Sequence, residues 1–293
     1  MPSATPAAAA FEWPAALQPQ DLAVTLLGGY VGPHPDLVWS GGLVKLLGDF
    51  GFSAPAARVA LARLVRRELL APRKDGRLVF YELTERCRHV LEEGDRRIFT
   101  FGTTPSVEAE VWTVVWHAIP EELRLERGRL ARRLRFLGFG SVQDGTWVSP
   151  HDREGEVTAL LDELGVQTYA GVLLGRPAAS LEFPDLLRYA WELDELHERY
   201  ERFVEEFQPY RAARRRAQLS EREAFLLRTR LVHLFREFPF LDPELPPEVM
   251  GDTSRREDAV AVFHDLYDAL RPSAQRYFDR MTAPDSRNGA GPS

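Results

Sequence analysis

The first run of apolar positions, Leu22, Val24, Leu26, Leu27 and Tyr30, predicts a short buried helix that Gly32, Pro33 and Pro35 then end. Ser40 is a good N-cap. After it Leu43, Val44, Leu46, Leu47 and Phe50 recur at helical spacing until Gly51, a residue suited to the left-handed position beyond a helix end. Ser53 caps a third helix, with Pro55 in its first turn, where a missing N–H costs little. Along that helix Val59, Ala60, Leu64 and Val65 are expected to face inward, and Arg58, Arg63, Arg66 and Arg67 outward. The Gly51-Phe52-Ser53 turn makes the pair a helix-turn-helix candidate, a device whose second helix enters the major groove of DNA. Residues 69–73 and 77–83 are strand-like and flank Lys74-Asp75-Gly76, a hairpin signal, with Arg73, Lys74 and Arg77 making a basic tip. Such a hairpin beside a recognition helix predicts the wing of a winged helix. Thr84 caps a further helix over 85–95, so the first domain is expected over residues 18–100, behind a disordered tail over 1–17.

The pattern then changes. Residues 111–117 are β-branched and aromatic, and Leu123, Leu130, Leu134 and Leu137 mark one face of a helix within 120–136. Residues 139–142 and 146–149 flank Gln143-Asp144-Gly145, a second hairpin; Val157, Leu160, Leu161 and Leu164 mark another helix, and 167–174 a last strand. The order βαββαβ predicts a ferredoxin-like middle domain over residues 101–178. From Phe183 the spacing is helical throughout. One stripe runs from Leu186 through Trp191 to Phe207, and two shorter ones centre on Leu231 and Leu266. This predicts a helical C-terminal domain over 179–281 and a disordered tail over 282–293. The fold class is therefore α+β and multidomain.

Composition refines this picture. The 293 residues are 44% hydrophobic, and no apolar run is long enough for a membrane-spanning helix, so no membrane partner is expected. A single cysteine, Cys87, excludes an intramolecular disulfide and fits a reducing cytoplasm. The net charge of -7 speaks against nucleic acid, but the charge is segregated. Residues 54–88 hold nine basic and four acidic side chains, which is +5 there and -12 elsewhere. A basic island on an acidic chain is the footprint of phosphate binding.

Catalytic chemistry is hard to assemble. The seven histidines are scattered, with no pair at the spacing of a helical zinc site, and the best metal-like pair, His151-Asp152, reads more naturally as a capped loop. There is no phosphate-binding glycine loop and no nucleophile elbow, so neither a cofactor nor an enzyme is predicted. The arginines at 124, 127, 129, 132, 133 and 135 read as a solvated face, and Trp191 as core or as the wall of a ligand pocket.

Three stretches carry a family resemblance. Leu43 through Ser53 with Ala57 through Arg67, and Gly76-Arg77 through Tyr81-Glu82-Leu83-Thr84, resemble the winged-helix region of PaaX-like repressors of phenylacetic acid catabolism. Leu137-Gly138-Phe139-Gly140 with Gly145-Thr146-Trp147-Val148-Ser149-Pro150 is similar to their middle domain. Arg230-Leu231-Val232-His233-Leu234-Phe235-Arg236 with Phe238-Pro239 and Asp242-Pro243-Glu244-Leu245-Pro246 is similar to their C-terminal signature. The chain departs from the family at Cys87, where members often have glycine, and at residues 250–254. The resemblance implies a homodimeric repressor that binds a palindromic operator and is released by an acyl-CoA such as phenylacetyl-CoA. Ser53, Arg58, Arg63, Arg66, Arg67, Arg73, Lys74 and Arg77 are then the expected DNA-binding residues. Arg230, His233 and Arg236, near Phe238 and Phe240, offer the cations and the apolar slot that a CoA thioester needs, and Trp191 is a further candidate for its pocket, although a clamp in which Arg236 pairs with Asp242 fits equally. The middle domain also resembles a CRISPR-associated nuclease, but its first strand lacks the acidic residue of that metal site. Two other classes stay open: an enzyme handling CoA esters, and a protein-interaction module on a winged-helix scaffold.

Overall fold

The computed structural model describes residues 17–31, 37–103, 111–176, 188–245 and 253–284. Almost all of the two expected tails, residues 183–187 at the start of the long apolar stripe, and Met250, Gly251 and Asp252 lie outside the described residues. In chain order the main elements are α1 (Pro19–Tyr30), β1 (Val38–Trp39), α2 (Ser40–Asp49), α3 (Ala54–Arg66), β2 (Leu70–Asp75), β3 (Leu78–Leu83), α4 (Glu85–Thr100), β4 (Trp112–His117), α5 (Arg124–Phe136), β5 (Gly140–Gln143), β6 (Thr146–Ser149), α6 (Glu154–Glu163), β7 (Ala170–Gly175), α7 (Leu193–Phe207), α8 (Glu221–Phe235) and α9 (Ser254–Thr282). The chain divides into two compact units. Met1–Arg97, Phe207–Phe235 and Val262–Ser293 form the first, Ile98–Glu206 and Arg236–Ala261 the second. The helices of residues 179–281 contribute to both.

In the first unit, α2 and α3 are joined by a short turn in which Gly51 takes a φ of 89° and Phe52 N–H bonds back to the Leu47 carbonyl. That left-handed step lets the chain reverse within four residues, and only glycine adopts it without strain. Three strands pair antiparallel in the order β1-β3-β2. β1 is absent from the sequence reading because two residues are too short to show an alternation; its pairing of Val38 with Tyr81 and Trp39 with Phe80 reveals it. It also fixes the chain's entry into α2, so Trp39, not Ser40, holds the N-cap position, and no side chain caps that helix. Asp75 pairs with Leu78, so the hairpin turns at Gly76-Arg77, one residue later than the Asp-Gly signal implied. Gly76 alone of the two has a positive φ, 55°, which suits a turn with glycine first. Thr84 caps α4 by accepting from Cys87 N at 3.1 Å. That helix runs five residues past its expected end, to Thr100, and the next glycine to turn left-handed is Gly102, just beyond it.

The core of this unit draws on both ends of the chain. Leu22, Leu26, Leu46 and Leu64 pack in one cluster with Phe225 of α8 and Phe278 of α9. Arg228, fully buried, is held between the rings of Tyr30 and Tyr267 and donates to the carbonyls of Gly29 at 2.9 Å and Tyr267 at 3.1 Å. Asp49 at the end of α2 accepts from Arg222 at 2.9 Å and from Tyr277 Oη at 2.7 Å. Burial, then the hydrogen bond to Asp49 and its charge, push the Tyr277 phenol up from 10.0 to about 12. A phenol held protonated in the folded chain contributes stability that is whole below about pH 10 and lost as pH climbs to about 12. Tyr277→Phe is expected to flatten the fall of stability across that window in urea titrations at stepped pH. An unchanged slope contradicts the bond. Cys87 is buried, and burial raises its thiol, so the native protein is expected to resist alkylation near neutral pH until denaturant is added. Prompt native labelling contradicts its packing role.

The second unit carries a four-stranded antiparallel sheet in the order β5-β6-β4-β7. This is the βαββαβ arrangement that the sequence predicts, with the first strand between the third and the fourth. One face is covered by α5 and α6, through Leu130, Leu134, Val157 and Leu161 against Val115 and Trp147. On the opposite face Trp116, 47% exposed, and Leu173, 56% exposed, stand open to solvent. The apolar stripe expected from Leu186 to Phe207 is not one helix: Glu192 takes a φ of 51° and α7 starts at Leu193. Trp191 explains the break, since its indole donates to the Gly138 carbonyl at 3.1 Å and lies where a side chain on Gly140 would collide with it. Asp242, fully buried at its side chain, accepts from Tyr200 Oη at 2.7 Å and from Glu244 N at 2.6 Å and pairs with Arg256 at 3.6 Å. Its partners are therefore not the Arg236 of the expected clamp.

Candidate nucleic-acid interface

α3 starts because Ser53, in extended conformation, accepts from Ala56 N at 3.3 Å, and because Pro55 fits the first turn. Ala57, Ala60, Leu61 and Leu64 are its buried residues, a three- and four-residue step that fixes the helix's rotation. The outward stripe is thereby Pro55, Arg58, Val59, Ala62, Arg63 and Arg66, all exposed. Val59 is the correction: expected inward, it is 49% exposed, because the small Ala57 and Ala60 with Leu61 occupy the inward positions. Arg67 follows at the C-cap, also exposed.

Among the described residues Arg58, Arg63, Arg66 and Arg67 have no ion-pair partner, so their charge is available to an outside anion. Lys74 and Arg77 at the hairpin tip are exposed and likewise unpaired. Arg73 differs, since its Nε donates to Glu82 across the β2–β3 pair at 2.9 Å. That bridge is exposed and weak, and a phosphate can compete for it. All eight expected DNA-binding residues thus lie in the first unit, on α3, its cap and the hairpin that follows.

The residues expected at an effector are divided between the two units. Arg230 and His233 are buried in α8 of the first unit, at 7% and 6% exposure, and His233 Nδ1 lies 3.1 Å from Thr25 Oγ1. Trp191 and Arg236 belong to the second unit. There Trp191 lines a cleft of about 920 Å³ together with Arg135, Phe139, Arg188 and Phe240. The acids Asp144, Glu192, Asp194 and Glu195 line it too, and Arg188 is paired with Asp194 at 2.6 Å. Arg135 and Arg188 are the cleft's cations, and the sequence reading missed both for this role. Arg188 stands three residues before Trp191 in the chain, whereas only the fold brings Arg135 there. The His151-Asp152 pair is a capped loop: Asp152 accepts from Glu154 N at 3.1 Å, and His151 Nε2 lies 3.3 Å from the Pro243 carbonyl. Among the described residues no three His, Cys, Asp or Glu side chains converge as metal ligands, and no helix is long and apolar enough to cross a membrane.

Comparison with known proteins matches the chain along most of its length. Three family models fit in order: PaaX-like protein over residues 18–87, PaaX protein central Cas2-like domain over 107–186, and PaaX-like protein C-terminal domain over 191–280. The transcriptional repressor PaaX of Escherichia coli is 26% identical over 262 residues, which cover 85% of this chain and 79% of that protein. Among solved structures, an uncharacterized protein of Mycobacterium tuberculosis shares the fold with a TM-score of 0.52 and 23% identity, covering 88% of this chain and 97% of that one.

Proposed function

The chain belongs to the PaaX-like protein family, and from that premise we propose that it is a cytoplasmic transcriptional repressor, a winged-helix protein that binds an operator and not an enzyme. The observation that carries this reading is the solvent face of α3, where Arg58, Arg63 and Arg66 have no ion-pair partner among the described residues and stand beside a basic hairpin. In the major groove Arg58 and Arg63 address base edges, where a bidentate arginine on guanine discriminates by about 1–3 kcal/mol. Arg66, Arg67, Lys74 and Arg77 meet phosphates, joined by Arg73 once it leaves Glu82, and Ser53 offers its hydroxyl at the helix N-terminus. These contacts set register and release counterions; they do not read sequence.

A palindromic operator needs two reading heads, so the protein acts as a homodimer with half-sites about 34–36 Å apart or a multiple of that. The open sheet face around Trp116 and Leu173 is the surface we assign to self-association. An acyl-CoA such as phenylacetyl-CoA releases the DNA by binding the competent and incompetent states unequally. Within this reading the Trp191 cleft is a better seat for it than Arg230 and His233, whose burial suits packing.

Gel shift on the protein's own promoter region, across a salt series and with a panel of acyl-CoA esters, tests the reading. A complex that weakens steeply with salt and is released by one ester is expected. Binding that no ester disturbs removes the effector and keeps the repressor. No specific complex at any salt overturns the proposal in favour of a protein-interaction module.

A further inference from the structure

We propose that Val59 selects a thymine in the operator by contacting its C5 methyl group. The inference rests on the DNA-binding reading above and adds to it a residue of sequence choice. Val59 is 49% exposed, on a helix whose inward positions are already filled by Ala57, Ala60, Leu61 and Leu64. Packing therefore does not account for it. Helix propensity does not either, since a β-branched residue on a solvent face is a poorer helix former than alanine, leucine or arginine.

Its surroundings give it a partner. Pro55 lies one turn before Val59, Arg58 beside it, and Ala62 and Arg63 one turn after, all exposed on the same stripe. Ala62 is short enough for the helix to sit deep in a groove, and Val59 belongs to the N-terminal half of α3, the part of a recognition helix that meets base edges. Of the groups that base pairs present in the major groove, the thymine methyl is the prominent apolar one. An apolar side chain among guanidinium groups matches that methyl and nothing on the phosphate backbone. Branching at Cβ also leaves Val59 little χ1 freedom in a helix, so its methyl groups are held in place before binding.

The test uses the full chain and, as probe, the tightest duplex recovered from a random pool. Each thymine of that duplex is replaced singly by deoxyuridine, which removes the methyl and leaves the hydrogen-bonding edge. At one thymine in each half-site the replacement is expected to weaken the wild type about fourfold, the worth of one buried carbon, and to leave Val59→Ala unaffected. At every other thymine the two proteins respond alike. Val59→Ala changes an exposed side chain and keeps the helix, so its circular dichroism and melting are expected to match the wild type. Deoxyuridine without effect at any position, or a penalty that survives in Val59→Ala, overturns the assignment while the repressor reading stands. Recovery of no preferred duplex overturns that reading too.

Discussion

Replacing Arg58 and Arg63 together by alanine is expected to erase the preference for operator over random duplex and leave much of the salt-sensitive binding in place. Both side chains project from the solvent face of α3 and have no ion-pair partner among the described residues, so their loss removes no internal bridge. If each holds a guanine edge, about 1–3 kcal/mol of discrimination is lost per residue, or roughly 30-fold to 20,000-fold for the pair in one half-site. The contrast comes from the hairpin. Lys74→Ala is expected to weaken operator and random DNA by the same factor and to lower the dependence of log K on log salt by about one unit per monomer. Fluorescence anisotropy with both duplexes at four salt concentrations separates the two outcomes. A selectivity loss in Lys74→Ala with none in the arginine variant reverses the roles of helix and hairpin.

Asp242→Ala is expected to destabilise the second unit by about 3–5 kcal/mol, the cost of breaking a buried ion pair on one side. The carboxylate has no solvent exposure and serves three groups: Tyr200 Oη, Arg256 and the backbone of Glu244. Burial, with the charge of Asp242 next, holds the Tyr200 phenol well above its ordinary value, so it stays protonated and donates. Alanine leaves a phenol and a guanidinium, the latter only 13% exposed, facing an apolar gap. Trp112, Trp116, Trp147 and Trp191, four of the six tryptophans, belong to this unit, so tryptophan fluorescence during urea unfolding reports mainly on it. The midpoint is expected to fall with little change in slope. A loss below about 1 kcal/mol would mean that the network orders the loop without stabilising the fold.

Much of this architecture is written in local pattern. Ser53, Pro55 and Gly51 punctuate α2 and α3 through backbone preferences that act within a few residues, and the βαββαβ order shows in alternating hydrophobicity. What escaped is what distance decides. β1 exists only because β3 lies beside it, and the break before α7 follows from an indole seated on Gly140, about fifty residues earlier in the chain. Val59 was misplaced for a related reason. Hydrophobic spacing alone allows two rotations of α3, and the small residues Ala57 and Ala60, close to the core, settle which one forms. The exposed cations of α3 and the hairpin are legible because charge gathered along a short stretch shows in the sequence itself. For Arg230 and His233 both a ligand and a packing role fit the sequence, because sequence does not distinguish a polar residue at a surface from one bonded inside, as His233 is beside Thr25.

Phe225, Tyr277 and Phe278 close the cluster that Leu22, Leu46 and Leu64 begin, which bears on how the protein is made. A ribosome releases the arginine-bearing helix early and the aromatic residues that seal its underside some two hundred residues later. Until then the emerging segment exposes leucines to solvent and has reason to recruit chaperones. Chains cut short near residue 200 lack these aromatic residues and are expected to be cleared by proteases, so the order of translation itself leaves only full-length copies to persist.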